Sequence, residues 1–281
     1  MSKKLIRFDW AMKKLLRNKA NFGILEGFLS ELLRFDITID SILESEGNKQ
    51  DLYDKYNRVD ILVKSQTNEL MLVEVQNDSE IDYFHRMLYG VSKLATEYIK
   101  EGEPYGTIKK IYSINIVYFG LGQGKDYVYE YKGEFIGLHE NDILIPTSLQ
   151  KQEFRVEKIA DIFPKYYILK VNNFNNLAKD PLDEWVYFLK NSEIKDTFKA
   201  KGLDKAKEKM RYENLTAEEK IMYDRFQENR RIENSVRYTA KQEKAVEVAK
   251  NLISLGSHNE FIAKATGLTV EQIEQLRFGL E

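Results

Sequence analysis

Two short runs of alternating and β-branched residues constrain the fold of this chain more than any other feature of its sequence. The runs are residues 58–64 (Arg-Val-Asp-Ile-Leu-Val-Lys) and 69–76 (Glu-Leu-Met-Leu-Val-Glu-Val-Gln), and the polar residues 65–68 separate them. β-Branched residues pack well in strands, and a short polar segment between two such runs indicates a tight connection. The sequence therefore predicts an antiparallel hairpin.

Helical periodicity precedes and follows this hairpin. Apolar residues recur at spacings of three and four over residues 9–33, in two pieces that residues 21–23 separate, and again over residues 80–100. In the helix after the hairpin, the residues predicted to face inward are Ile81, Phe84, Leu88, Val91, Leu94, Ala95 and Tyr98.

Further strands are predicted near residues 37–42, 111–119 and 166–171, where apolar and β-branched residues return. Residues 127–138 predict an exposed hairpin that turns at Lys132-Gly133. This order of elements predicts an α/β fold with a mixed central sheet flanked by helices, followed by an all-helical C-terminal region.

The character of the chain changes after the last predicted strand. Pro181, with acidic residues behind it, has the chemistry of a helix start, and residues 199–250 are densely charged with both signs. We therefore predict a core of residues 1–175, a charged helical region of residues 176–242 and a helix-turn-helix-like module of residues 243–281.

The composition excludes several kinds of functional site. The chain has no cysteine and only three histidines, so disulfides, thiolate zinc sites, cysteine nucleophiles and histidine-rich metal sites are not expected. Any metal would be held by oxygen ligands. No apolar stretch approaches the ~18–20 residues of a membrane helix, and we expect a cytoplasmic protein.

The net charge of −2 conceals an uneven distribution of charged residues. Residues 1–20 contain one acidic residue, Asp9, among many basic ones, whereas acidic residues gather between positions 40 and 82. A basic segment beside an acidic centre would suit a metal site that attracts a polyanion, and a solvated amphipathic helix would produce the same pattern.

The hairpin places acidic residues in otherwise apolar strands. Glu74 and Gln76 share one face of their strand, about 6–7 Å apart, and Asp60 lies in the partner strand. A buried carboxylate without a partner costs several kcal/mol, which a divalent cation would offset. Carboxylates are ligands that Mg²⁺ or Mn²⁺ prefers, and such a cation can activate water and stabilise charge on a phosphate. The residues alone leave a second interpretation open, in which Asp60 and Glu74 point into solvent or pair with Arg58 and Lys64.

Motifs across the chain favour the metal site. Besides the two strands of the hairpin, they are residues 22–29 (Phe-Gly-Ile-Leu-Glu-Gly-Phe-Leu), 44–46 (Glu-Ser-Glu), 83–90 (Tyr-Phe-His-Arg-Met-Leu-Tyr-Gly), 180–185 (Asp-Pro-Leu-Asp-Glu-Trp) and 262–273 (Ile-Ala-Lys-Ala-Thr-Gly-Leu-Thr-Val-Glu-Gln-Ile). Together they resemble the PD-(D/E)xK nuclease family transposases, also called Rpn-type recombination-promoting nucleases, over nearly the whole chain. The resemblance implies a restriction-endonuclease-like core. It also implies an endonuclease that hydrolyses DNA with Mg²⁺ or Mn²⁺, in recombination, transposition or defence.

The resemblance further implies roles for individual residues. Asp60 and Glu74 would bind the metal, and Gln76 would occupy the position of the lysine, where glutamine can orient a group but brings no charge. A glutamate from the first helices would complete the catalytic set, with Glu26 as our prediction and Glu31 as the alternative. If Gln76 does not support catalysis, the chain would be a non-catalytic DNA-binding or regulatory protein that retains the nuclease fold.

Two further regions are predicted to contact partners. Arg86 and Tyr89 lie one turn apart on the helix after the hairpin and would bind a DNA phosphate. Alternatively, Tyr89 packs and Arg86 pairs with Asp82. Residues 243–281 resemble a helix-turn-helix, which would either bind DNA or join copies of the chain in a homo-oligomer.

Overall fold

The structure is a computed structural model, and it describes residues 5–43, 58–99 and 101–278. The side chains of residues 13 and 58–60 and the motif at residues 44–46 lie outside the described part. The helices are α1 (Phe8–Lys14), α2 (Phe22–Leu33), α3 (Tyr83–Glu97), α4 (Ser148–Phe154), α5 (Pro181–Asn191), α6 (Leu203–Lys209), α7 (Ala217–Ser254), α8 (Asn259–Thr266) and α9 (Val270–Phe278). The strands are β1 (Ile39–Leu43), β2 (Arg58–Ser65), β3 (Leu70–Gln76), β4 (Ile111–Val117), β5 (Val128–Glu130) and β6 (Lys165–Lys170).

The strands form one mixed sheet in the order β1-β2-β3-β4-β6-β5. The predicted hairpin is confirmed, because β2 and β3 pair in antiparallel register, with Asp60 opposite Glu74. β3, β4 and β6 run parallel to one another, and the edge strands β1 and β5 are antiparallel to their neighbours. The predicted α/β class with a mixed central sheet, flanking helices and a helical C-terminal region is therefore confirmed.

Helix α3 packs on one face of the sheet, the face to which Leu70, Leu72 and Glu74 of β3 point. Its buried residues are Tyr83, Met87, Val91 and Leu94, which contact apolar side chains of β2, β3 and β4. The predicted inward-facing set was therefore wrong at its N-terminal end, where Ile81, Phe84 and Leu88 are 103%, 50% and 58% exposed. Two apolar stripes run along this helix about 100° apart, and only the packing against the sheet selects between them.

The segment 127–138 also differs from its prediction. Only Val128–Glu130 forms a strand, and it pairs with β6 instead of with the residues that follow Lys132-Gly133. Ile136 instead bridges to Ile143. Pairing with the edge of β6 satisfies the backbone hydrogen-bonding groups of β5. In an isolated exposed hairpin, the two strands would have only each other as partners, and such a hairpin is marginally stable.

An aromatic cluster connects a second group of helices, α1, α2 and α5. Phe8, Phe28, Trp185 and Phe188 meet edge to face, with ring centroids 5.6–6.1 Å apart. Helices α5 and α6 both pack on α2. The first compact unit therefore runs through Met1–Leu215, beyond the end that we predicted at residue 175.

The second compact unit is Thr216–Glu281. It consists of the long helix α7, whose capping box begins at Thr216, and the short helices α8 and α9. Ala249, Ile262, Leu268 and Ile273 form its small core. The boundary predicted at residue 242 falls inside α7, because one uninterrupted helix carries both the charged segment and the first apolar piece of the module. In the part of the chain that the structure describes, no helix combines the length and the apolar character needed to span a membrane.

Candidate active site

Glu74 and Gln76 lie on the α3 face of strand β3, close to its C-terminal end. They are 6% and 2% exposed, so both polar side chains are buried between the sheet and α3. Position 60 in β2 pairs with position 74, which places a second acidic residue directly across the hairpin in the register. A buried carboxylate requires compensating polar groups, and the surroundings of Glu74 provide them.

Glu74 contacts a hydroxyl and a guanidinium. The hydroxyl of Tyr83 lies 3.2 Å from Glu74 Oε2 and 3.1 Å from Asn115 Oδ1, in the middle of the buried site. Asn115 is itself held by hydrogen bonds from its Nδ2 to Ser113 Oγ and Tyr167 O, which turns its oxygen toward Tyr83. This network fixes the position of the Glu74 carboxylate before any ligand arrives.

Arg86 supplies the nearest described positive charge to Glu74. Its Nη2 lies 3.6 Å from Glu74 Oε2, and its Nη1 lies 3.0 Å from Glu80 Oε1. The guanidinium therefore bridges two carboxylates, instead of forming the pair with Asp82 that was our alternative. Tyr89, one turn along α3, is 69% exposed, which excludes the alternative in which it packs in the core.

The side-chain amide of Gln76 donates hydrogen bonds through its nitrogen, whereas its oxygen accepts none from the described residues. Its Nε2 donates to Glu80 Oε1 at 2.9 Å and to the backbone oxygen of Asp78 at 3.3 Å. Its Oε1 is buried and accepts no hydrogen bond from the residues that the structure describes. A buried acceptor without a donor costs about 1–3 kcal/mol, and native proteins keep few of them.

A family model matches most of the chain. Residues 6–249 of the 281-residue chain match the family model described as PD-(D/E)XK nuclease family transposase. The chain belongs to the PD-(D/E)XK nuclease family transposases. No curated protein and no solved structure matches the chain. The resemblance inferred from the sequence motifs is thus confirmed, and it relates the chain to nucleases of transposition and recombination.

Within this PD-(D/E)XK fold, the structure does not bring Glu26 or Glu31 to Glu74. Glu26 Oε1 accepts a hydrogen bond from the backbone nitrogen of Ile39, and Glu31 Oε1 accepts one from that of Lys201. Ile39 pairs with Ser65, five residues along β2 from position 60, which corresponds to about 16 Å. Both glutamates stabilise backbone segments here, and the catalytic role of Glu26 stays a prediction.

A further carboxylate, that of Asp9 in the first turn of α1, lies close to the end of β3. It is 1% exposed, and it pairs with Arg7 and accepts a hydrogen bond from the backbone nitrogen of Trp10. Asn77 Nδ2, in the residue after Gln76, lies 3.4 Å from Asp9 Oδ2. Asp9 is the single acidic residue in the basic segment 1–20, and this isolation was the sequence signal that could have identified it.

The oxygen atoms of this site have the chemistry that a hard divalent cation requires. Glu74 offers a buried carboxylate, and Gln76 offers a buried amide oxygen to which no described group donates. Among the described side chains, no group of three or more histidine, cysteine, aspartate or glutamate residues is arranged to hold a metal. The side chain of Asp60, which our prediction requires, is not one of those described.

Proposed function

We propose that this chain is a metal-dependent endonuclease that hydrolyses phosphodiester bonds of DNA at the hairpin of β2 and β3. Asp60 and Glu74 hold Mg²⁺ or Mn²⁺, and Gln76 occupies the position of the family lysine. The observation that carries this proposal is the buried pair Glu74 and Gln76, opposite Asp60 in the register, in a chain of a nuclease family.

The bound cation would activate water and neutralise the charge that builds up on the phosphate. The side chains of this protein prepare the site for that chemistry. Tyr83 and Asn115 fix the Glu74 carboxylate, and burial beneath α3 keeps bulk water away from it. Low local polarity strengthens each of these electrostatic contacts.

Arg86 and Tyr89 are the proposed contacts for the DNA backbone. Arg86 faces the site from α3, so its guanidinium can turn from Glu74 toward a scissile phosphate and form charge-assisted hydrogen bonds there. Tyr89 lies at the surface of the same helix, where its hydroxyl can reach a neighbouring phosphate. Asp9 joins the proposed catalytic set, because it is buried near the end of β3. Glu26, the carboxylate predicted from the sequence, would have to leave the backbone nitrogen of Ile39 to take part.

The C-terminal unit is proposed to act outside the chemical step. Its three helices have the connectivity of a helix-turn-helix, and either DNA binding or association of two copies would use their exposed faces. Removal of residues 216–281 would separate these roles from catalysis, since that unit has a core of its own.

Cleavage of supercoiled plasmid in Mg²⁺, Mn²⁺ or EDTA tests the proposed activity. We expect nicking or linearisation that depends on the metal and is abolished by Glu74→Ala and by Asp60→Ala. The matched control is Glu97→Gln, which alters a carboxylate on the same helix as Arg86, where Glu97 pairs only with Lys93 among the described residues. Undiminished cutting by Glu74→Ala would refute the site, and DNA binding without cutting would favour the non-catalytic alternative.

A further inference from the structure

The orientation of the Gln76 amide is fixed by its neighbours. Its nitrogen lies 2.9 Å from a carboxylate oxygen of Glu80 and 3.3 Å from the backbone oxygen of Asp78, and both of these atoms can only accept hydrogen bonds. The amide nitrogen must therefore face them. This leaves the amide oxygen on the other side, buried and without a donor among the described groups.

This oxygen lies on the same face of β3 as the Glu74 carboxylate. Gln76 and Glu74 are two residues apart on one strand, so their side chains leave the sheet on the same side, with Cα atoms about 6–7 Å apart. No described group donates a hydrogen bond to the oxygen, and the side chain is 2% exposed. A buried oxygen acceptor in such surroundings is stabilised when a cation coordinates it.

We propose that Gln76 Oε1 is a direct ligand of the divalent cation and that Glu80 is the positioning residue that turns this oxygen toward it. This inference rests on the proposed function. It makes Gln76 an oxygen ligand of the cation, whereas a lysine could only donate hydrogen bonds. A lysine at this position would donate protons to a phosphate or a water molecule, whereas the hydrogen bonds of Gln76 Nε2 already engage Glu80 and Asp78.

Arg86 completes the arrangement by balancing the charge of Glu80. Its Nη1 lies 3.0 Å from Glu80 Oε1, the same oxygen that accepts from Gln76. Glu80 is partly buried at this point, and the guanidinium keeps it in place beside the amide. Residues that orient a metal ligand in this way typically change the affinity for the metal by about 10–100-fold when they are removed.

Calorimetric titration of the full chain with Mn²⁺, in the absence of DNA, tests the proposal without reference to catalysis. Gln76→Met retains the volume and removes the oxygen, and we expect it to weaken Mn²⁺ binding by about tenfold or more. Gln76→Lys restores the family residue and is expected to weaken binding at least as much.

Glu80 is tested by a truncating and a conservative substitution. Glu80→Ala frees the amide to rotate and is expected to weaken Mn²⁺ binding by about tenfold. Glu80→Gln retains an oxygen that can accept from Gln76 Nε2, and it should stay within about threefold of the wild type, since the orientation is preserved. A direct metal ligand at position 80 would instead lose affinity in both variants.

The outcomes separate this inference from the proposed function. If the wild type binds no Mn²⁺, or if Glu74→Gln binds it unchanged, the metal site itself is wrong and the inference fails with it. If Glu74→Gln loses binding while Gln76→Met, Gln76→Lys and Glu80→Ala bind as the wild type does, the metal site stands and only the ligand role of Gln76 is refuted. Thermal unfolding of each variant without metal identifies any that fail to fold. If the buried lysine of Gln76→Lys is not tolerated, Gln76→Met alone tests the ligand role of Gln76.

Discussion

The contact between helix α2 and the segment at residues 201–202 makes a sharp prediction about stability. A Cβ added at Gly27 would lie 2.1 Å from the backbone oxygen of Lys201, 2.6 Å from its carbonyl carbon and 2.7 Å from Gly202 Cα. These atoms belong to backbone that is held in place, because Trp185 Nε1 donates to Lys201 O and Glu31 accepts from Lys201 N. Gly27→Ala therefore forces a helix and a fixed segment apart.

The size of the effect follows from two opposing contributions. Overpacking of this kind costs about 1–3 kcal/mol, and the three contacts under 3 Å argue for the upper end of that range. The better helix propensity of alanine returns about 1 kcal/mol. We expect Gly27→Ala to lower the free energy of unfolding by about 2 kcal/mol, which corresponds to about 4–8 °C in Tm for a unit of this size.

Gly23 in the same helix provides the matched control. A Cβ at Gly23 would lie 2.4 Å from Lys205 Nζ, the far end of a flexible side chain that can move away at little cost. Gly23→Ala should therefore leave the stability unchanged or raise it by up to about 1 kcal/mol, because the helix propensity of alanine is not offset by contact with fixed backbone.

Urea unfolding followed by tryptophan fluorescence is the appropriate assay for both glycine variants. Trp10 and Trp185, the two tryptophans of the chain, both lie in the first compact unit, so the signal reports on that unit. Equal stability of Gly27→Ala and Gly23→Ala would refute the packing of residues 181–215 against α2.

Three further predictions follow from contacts of the site and of the sheet. Tyr83→Phe removes the hydroxyl that two buried acceptors share, and should lower the free energy of unfolding by about 1–3 kcal/mol in the same urea assay; an unchanged value would contradict the network. Arg86→Met removes the guanidinium that is the proposed phosphate contact, and should reduce plasmid cleavage; undiminished cleavage would contradict that contact. Burial, with the charge and hydrogen bond of Glu130, raises the pKa of Tyr167 to about 12. The folded state therefore keeps this proton between pH 10 and 12 while the unfolded state releases it, and stability falls as pH rises through that window. Tyr167→Phe should reduce this decline in alkaline urea titrations, and an identical decline would contradict the assignment.

The sequence was most informative where structure depends on neighbouring residues. Alternation and β-branching in residues 58–64 and 69–76 were sufficient to predict the hairpin, because both strands and their connection are local. The helices of the C-terminal region followed from apolar periodicity in the same way, whereas the break predicted at residues 21–23 lies earlier, between the end of α1 at Lys14 and the start of α2 at Phe22.

Features that depend on distant contacts could not be predicted in this way. The phase of α3 was misassigned because apolar residues occupy two adjacent stripes, and the sheet buries the stripe of Tyr83 and Met87. Asp9 lies 3.4 Å from Asn77, a contact across 68 residues of sequence. Glu80 carried no sequence signal either, since its role arises from its contacts with Gln76 and Arg86 in the folded chain.

The location of the bound metal tests the central claim most directly. In crystals of the full chain grown with Mn²⁺, anomalous scattering would locate the ion without any assumption about activity. We predict a peak on the α3 face of β2 and β3, within about 2.0–2.3 Å of oxygen atoms of Glu74, Asp60 and Gln76. A Mn²⁺ peak elsewhere, with Arg86 still paired to Glu74 and the Gln76 oxygen still without a partner, would contradict the account.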